Sequence, residues 1–277
     1  MRLRVNMLLI VALLILPSLP GQAASPSARP AGCGEPFTPI FDIQGAGAVS
    51  PLNGATVTTE GVVVGDFQGA QGLNGYFLQA AAGDNDPLTA DGVFVYQPGG
   101  LDVGSGDLVR VTGTVGEYNG LTEIKDVSGL VLCAAGLPIA PISIALPEAH
   151  NGDLERYEGM LVTLPQTLTV SQNYFQGRYG QVTLSAAGRL YHPMDGNELG
   201  DTVEYNARRI LILDDGSTRQ NPAVIPYLGP DDTLRAGDTI TALTGVLDEG
   251  LIDAAGSRDY RLQPTGTVAS VRVNQRP

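Results

Sequence analysis

From residue 57 onward the apolar residues arrive in short, β-branched runs, each closed by a turn-forming stretch. A chain punctuated this way folds as strands. Val57 to Phe67 reads Val-Thr-Thr-Glu-Gly-Val-Val-Val-Gly-Asp-Phe, and Gly75 to Gln79 and Val93 to Tyr96 are two shorter runs. Leu108 to Val115 alternates apolar and polar residues, and Leu121 to Val127 follows the tight turn Tyr118-Asn119-Gly120. Valine, threonine and aromatics fit a pleated, half-buried surface, and Asn-Gly is a hairpin turn pair. With 36 Gly and 19 Pro in 277 residues and only 16 Lys plus Arg, turn formers outweigh helix formers. Five such runs within roughly 90 residues predict a small barrel or sandwich.

The same phrases return later. Glu60-Gly61-Val62-Val63-Val64 is echoed by Glu158-Gly159-Met160-Leu161-Val162-Thr163. Gly106-Asp107-Leu108-Val109-Arg110-Val111-Thr112-Gly113 is echoed by Gly237-Asp238-Thr239-Ile240-Thr241-Ala242-Leu243-Thr244-Gly245, with one residue of slippage. Gly-Asp launches a strand from a turn, and Thr-Gly inside a strand permits the bend that a small closed barrel needs. The expected fold class is all-β: two small barrels of the oligonucleotide/oligosaccharide-binding (OB) type, the second with a long insertion. The expected organisation is a first β domain over 37–136, a linker over 137–150 rich in proline, a second β domain over 151–272 and a tail over 273–277.

The N-terminus gives an address. Arg2 and Arg4 precede the apolar run Met7 to Leu16, Pro17 and Pro20 break it, and Gly21-Gln22-Ala23 supplies small residues for cleavage. This is the layout of a signal peptide over 1–23 in a bacterial exported protein, and the apolar run is short of the about 20 residues that span a bilayer. No other segment of the sequence could cross a membrane. Residues 24–36 are Ala, Ser, Pro and Gly with little else and read as a disordered leader. Cys33 and Cys133 are the only cysteines, and an even count in an exported chain invites a disulfide, two free thiols being the alternative. Closing a loop of that length is worth about 4–5 kcal/mol in chain-entropy terms, often less in practice.

The formal charge is −13, and −15 once Arg2 and Arg4 leave with the signal peptide. Such a surface repels phosphate backbones at long range, so binding to nucleic acid needs a local basic patch or bound cations. Catalytic motifs are missing: the sequence has two histidines, His150 and His192, and no Gly-x-Ser-x-Gly, His-Glu-x-x-His, Cys-x-x-Cys or phosphate loop. Asp84, Asp86 and Asp91 cluster hard oxygens that Ca2+ could use, although the spacing is not that of an EF-hand and a solvated acidic loop is the favoured alternative. Asp214-Asp215-Gly216 reads as turn chemistry. The segment Tyr174-Phe175-Gln176-Gly177-Arg178-Tyr179 interleaves aromatics with Arg, the pairing that stacks on bases and meets phosphates. Arg208, Arg209 and Arg219 are near it in sequence. Tyr76 and Phe77 fall on opposite faces of their strand, so at least one belongs to a core.

Longer phrases resemble a family. Phe41-Asp42-Ile43-Gln44-Gly45-Ala46-Gly47, Ser50-Pro51-Leu52, Glu60 to Phe67, Gly75 to Gln79 and Gly92 to Tyr96 resemble the start of the ExeM/NucH-type bacterial extracellular endonucleases. Arg156-Tyr157-Glu158-Gly159, Asn173-Tyr174-Phe175, Gly177-Arg178-Tyr179-Gly180, Arg208-Arg209-Ile210, Leu213 to Gly216, Gln220-Asn221-Pro222 and Tyr260 to Pro264 continue the likeness. The resemblance implies OB-like regions that precede a metal-dependent endonuclease/exonuclease/phosphatase domain, with Asn274 to Pro277 at the junction. That domain's Ser-Asp-His element is not found in this sequence, so no catalytic residue carries over. The expectation is a non-catalytic accessory module of a secreted nuclease that contacts single-stranded or flexible DNA or positions a catalytic domain. The competing expectation, motivated by the charge, is an extracellular β scaffold that binds protein or polysaccharide.

Overall fold

Strand pairing follows the expected runs closely. The computed structural model describes residues 32–192, 202–228 and 232–273. Its first five strands are β1 (Thr56–Phe67), β2 (Gly75–Gln79), β3 (Gly92–Tyr96), β4 (Leu108–Tyr118) and β5 (Leu121–Ala134). β1 pairs antiparallel with β2 and β4, β2 with β3 and β4 with β5, and a parallel contact between β3 and β5 closes a five-stranded barrel. Asn119 and Gly120 have φ of 52° and 96°, the left-handed pair that a two-residue hairpin requires, and they join β4 to β5. A short helix, α1 (Ile40–Gln44), adds Ile40 and Ile43 to a core of Tyr76, Leu78, Val93, Val95, Val109 and Val111.

A second ring repeats this order. It is built from β7 (Leu161–Gln172), β8 (Val182–Ser185), β9 (Ile210–Leu213), β10 (Thr239–Leu251) and β11 (Arg258–Pro264), introduced after the two-residue strand β6 (Ile142–Ser143) and before β12 (Ser270–Val271). β7 pairs with β8 and β10, β8 with β9, β10 with β11, and β9 lies parallel to β11. Position by position these match β1, β2, β3, β4 and β5, including the single parallel contact. β6 adds to the outside of β7, and β12 to β10. The stretch expected to be a linker is therefore partly structured, with Ile144 and Leu146 buried in the second core. The extra length sits in two connections, 186–209 and 214–238, the first carrying α3 (Val203–Ala207) and the loop before β8 carrying α2 (Gln176–Tyr179).

Hydrogen bonds show which phrases are equivalent. Gly106 N donates to Val63 O and Val63 N to Asp107 O, while Gly237 N donates to Val170 O and Val170 N to Asp238 O, each at 2.8 Å. Asp107 Oδ2 accepts from Gly104 N at 2.9 Å and Asp238 Oδ2 from Arg235 N at 2.8 Å, so each Gly-Asp is a side-chain-capped turn that launches a strand. The Thr58 and Thr112 hydroxyls meet at 2.8 Å, and those of Thr163 and Thr244 at 2.9 Å. Matching Thr58 to Thr163 carries Glu60-Gly61 into the body of β7 and leaves Glu158-Gly159 ahead of it. The first echoed phrase is thus not part of the repeat. Gly159 has its own reason: a Cβ there would lie 2.5 Å from Val93 N, and one on Gly92 would lie 2.1 Å from Gly159 C. Two glycines let the backbones of the two halves touch.

The barrels pack through the outer face of β2 and β3. Tyr76 points into the first barrel, whereas its neighbour Phe77 joins Val64, Leu73, Phe94, Leu121 and Val246 of β10 in a separate apolar cluster between the barrels. The Phe77 and Phe94 rings are 4.8 Å apart and both are buried. Burial of each such ring contributes about 1.5–3 kcal/mol.

Cys33 and Cys133 form the disulfide, with Cα atoms 5.7 Å apart. Residues 32–36, inside the stretch expected to be a disordered leader, are held against the barrel. Arg110 donates to the carbonyls of Glu35 and Pro36, both at 2.9 Å, and to Glu60 Oε1 at 2.7 Å. The signal-peptide segment 1–23 lies outside the described residues. Among the described residues, no helix is long and apolar enough to cross a membrane.

Candidate nucleic-acid interface

The loop between β7 and β8 carries Tyr174, Phe175, Arg178 and Tyr179 around the single turn α2. Its shape is set locally. Asn173 accepts from Gln176 N through its carbonyl and donates its side-chain amide to Leu234 O at 2.9 Å, which ties the loop's entry to the segment before β10. Gly180, at φ 69°, ends the turn, and its carbonyl accepts from the buried Tyr227 hydroxyl at 2.7 Å. Anchored at both ends, the loop exposes Tyr174 and leaves Phe175 and Tyr179 half-buried. Tyr174 is 80 % exposed, and its ring centroid is 5.0 Å from Phe175, which is 5.7 Å from Tyr179. The Arg178 guanidinium stacks over the Tyr179 ring at 5.3 Å and donates to Gln220 Oε1 at 2.9 Å. Arg219 is exposed beside Gln220 and donates to Gln71 Oε1 of the β1–β2 loop at 2.5 Å. Four of the seven residues expected to bind nucleic acid thus share one loop, and the exposed Arg219 adjoins Gln220, the partner of Arg178.

The other two do not join it. Arg209 is 2 % exposed, and its guanidinium is consumed by Asn206 Oδ1 and the carbonyls of Ala186, Ala187 and Gly188. It is a structural cation that organises the connection from β8 to β9, and it is unavailable to a phosphate. Arg208 donates to the carbonyls of Glu148 and Ala149 and pairs with Glu204 at 3.1 Å, so it too is spent on the fold.

In the acidic loop, carboxylates serve the backbone. Asp84 accepts from Asp86 N at 2.8 Å and Thr89 Oγ1 at 3.0 Å, and Asp86 accepts from Leu88 N at 3.0 Å. These are turn-forming contacts. Asp91 is raised above the usual carboxylate range by burial and then by Asp84. Asp84, Asp86 and Asp91 are not gathered into a ligand-like group; instead Asp86 and Asp91 help wall an open cleft of about 450 Å3 with Gln79, Arg156, Tyr157 and Met160.

A different carboxylate group does converge. Among the described residues, Glu155, Glu158 and Glu249 are the one set of three acidic, histidine or cysteine residues whose candidate ligand atoms all lie within 4.8 Å of one another. Sequence reading missed it because Glu249 sits some 90 residues from the other two, and only the Glu155–Glu158 spacing was visible. Burial, then Glu155, holds the Glu158 carboxyl well above its ordinary range. Burial also raises Glu155 and Glu249, the latter partly offset by Arg258.

His150 is exposed and lies 3.5 Å from Asp153, and His192 is also exposed. No family model matches the chain, and no curated protein matches it.

Proposed function

We propose that this chain is a non-catalytic binding module whose second barrel receives an unpaired nucleic-acid strand on the loop between β7 and β8. The observation that carries the reading is the exposed Tyr174 on the half-buried Phe175–Tyr179 ring pair, with exposed Arg178 stacked over Tyr179 and exposed Arg219 next in sequence to Gln220, the partner of Arg178. Both rings of strands are of the OB type in this reading, and OB barrels take oligonucleotides on their second and third strands and on the loops joining strands one to two and four to five. Tyr174 to Tyr179 occupy the first of those loops in the second barrel. The matching face of the first barrel, Phe77 and Phe94, is covered by Val246 and its neighbours. One barrel is thus a support and the other a reader. The resemblance to the accessory region of ExeM/NucH-type extracellular endonucleases supports single-stranded or flexible DNA as the ligand, and a role in presenting that DNA to a nuclease catalytic domain outside the cell.

Fluorescence anisotropy with a labelled oligothymidine at low salt tests this. Stacking is worth about 1–3 kcal/mol per base, so Tyr174→Ala with Arg178→Ala should weaken binding about 5- to 150-fold. A wild-type chain that does not bind at low salt, or a double variant that binds as well as wild type, overturns the reading. Binding of a glycan array in place of DNA would favour the polysaccharide scaffold.

A further inference from the structure

We propose that Glu155, Glu158 and Glu249 hold a calcium ion at the seam between the two barrels. The three carboxylates come from two places in the chain. Glu155 is at the centre of the 3-10 turn Asp153–Tyr157, Glu158 directly follows that turn, and Glu249 is on β10. Tyr260 Oη donates to Glu155 Oε2 at 2.8 Å, which fixes that carboxylate from β11. Glu158 is the decisive residue. It is 1 % exposed, and its Oε1 accepts from Thr122 N at 3.0 Å and Gln44 Nε2 at 3.2 Å, both from the first barrel. Its Oε2 is buried and has no hydrogen-bond partner. A buried carboxylate oxygen without a partner is strongly destabilising when charged. Two further carboxylates within 4.8 Å make that worse unless a cation joins them.

The chemistry selects the ion. Every donor is a carboxylate oxygen, with no His or Cys in the group, which disfavours zinc and favours a hard cation. Calcium tolerates irregular geometry and takes six to eight oxygens, so waters would complete the shell, whereas magnesium demands a near-regular octahedron. The charge also closes: three carboxylates against one divalent ion leave one negative charge, and Arg258 lies 3.6 Å from Glu249. Glu158 is bonded to the first barrel through Gln44 and Thr122, and Glu249 belongs to the second. The ion would therefore fix the angle between the barrels, and with it the place of the Tyr174 loop relative to the β1–β2 loop.

Terbium luminescence on the full chain tests the assignment. The sequence has no Trp, so tyrosine is the sensitiser, and Tyr260 is bonded directly to one proposed ligand. Tb3+ emission excited through tyrosine should saturate and be displaced by Ca2+. Glu155→Gln, which can still accept from Tyr260, should weaken displacement by Ca2+ at least about tenfold, while Asp84→Asn with Asp86→Asn should not. Thermal melts separate ligation from simple structural loss. In EDTA, Glu155→Gln should melt at or above wild type because one crowded carboxylate is gone. In millimolar Ca2+ wild type should rise and the variant should not, so the order reverses. Unchanged Ca2+ displacement in Glu155→Gln, loss of emission in the Asp84 and Asp86 variant, or no Ca2+-dependent melt in wild type overturns the proposal.

Discussion

Replacing Arg261 with Met should destabilise the second barrel strongly, and more so as pH rises. Arg261 on β11 lies directly across from Asp248 on β10. Its Nε is 3.1 Å from Asp248 Oδ1, its Nη2 2.6 Å from Asp248 Oδ2, and its Nη1 3.1 Å from Asp214 Oδ2 at the end of β9. Asp248 and Asp214 are 0 % and 1 % exposed. Gln263 Nε2 donates to both carboxylates, at 3.3 Å and 3.1 Å, but carries no charge. One guanidinium on β11 therefore pairs with two buried acids, Asp248 on β10 and Asp214 just past β9. An exposed pair would be worth about 0–1 kcal/mol, whereas breaking a buried pair costs about 3–5 kcal/mol because the partner is left charged and dry. Burial puts this case in the second class.

The pH dependence fixes the sign. Burial raises the Asp248 carboxyl above its ordinary range even with Arg261 working against it, so removing Arg261 raises it further. A carboxyl whose folded pKa exceeds its unfolded value binds its proton more tightly in the native state. Stability then falls as pH rises from the ordinary carboxylate range up to the folded pKa, by at most about 1.4 kcal/mol per pH unit for one group. Arg261→Met should thus lose most near about pH 8 and recover toward about pH 5. Urea unfolding at both pH values measures this, and adding Asp248→Asn should restore part of the loss at the higher pH. A loss below about 1 kcal/mol at the higher pH, or one equal at both, would refute the reasoning.

Three shorter tests address other parts of the molecule. Phe77→Ala should cost about 3–5 kcal/mol by opening a void between the barrels, read as a lowered denaturation midpoint; an unchanged midpoint means the barrels do not pack through this face. Burial, then Asp214, pushes the Asp215 carboxyl up from 3.8 to about 7, so wild-type stability should decline as pH climbs through that interval. Asp215→Asn should flatten that decline, and parallel curves for the two proteins would rule the coupling out. Reducing Cys33–Cys133 should cost about 2–5 kcal/mol and release residues 32–36 to proteolysis, which mass spectrometry of the limited digest would show.

The sequence revealed strands far better than it revealed surfaces. Runs such as Gly75 to Gln79 became strands with their boundaries intact because β-branched residues and a following turn are local properties. The second echoed phrase succeeded for the same reason: Gly-Asp forms the capped turn before β4 and before β10, and Gly113 and Gly245 each leave no room for a Cβ against the following strand. Burial by a distant partner is not local. Nothing around Phe77 says that Val246 will cover it, and nothing in Arg208-Arg209 says that one guanidinium will be swallowed by the carbonyls of residues 186–188. The Tyr174 to Tyr179 segment packs three aromatics and an arginine into six residues, more than one short loop can bury fully, and Tyr174 is 80 % exposed. Glu249 was illegible because only the closed ring of β10 on β7 brings it to Glu158.

The acidic charge and the proposed DNA contact can be reconciled, and the reconciliation has a measurable slope. Of the basic residues expected to meet phosphate, Arg178 and Arg219 are the two that are exposed, since Arg208 and Arg209 are engaged within the fold. Two contacts to a single strand give a dependence of log affinity on log salt of about −1.4, using about −0.7 per phosphate. A fourfold rise in salt should then weaken binding only about sevenfold. The net formal charge of −13 makes the slope shallower still, because salt screens the repulsion it causes. Affinity must come chiefly from rings on bases. Anisotropy titrations across a salt series measure the slope, and Tyr174→Ala should lower affinity without changing it, while Arg178→Ala should bring it close to half. A wild-type slope of about −4 would require phosphate contacts that this surface does not offer, and would place the binding site elsewhere on the chain.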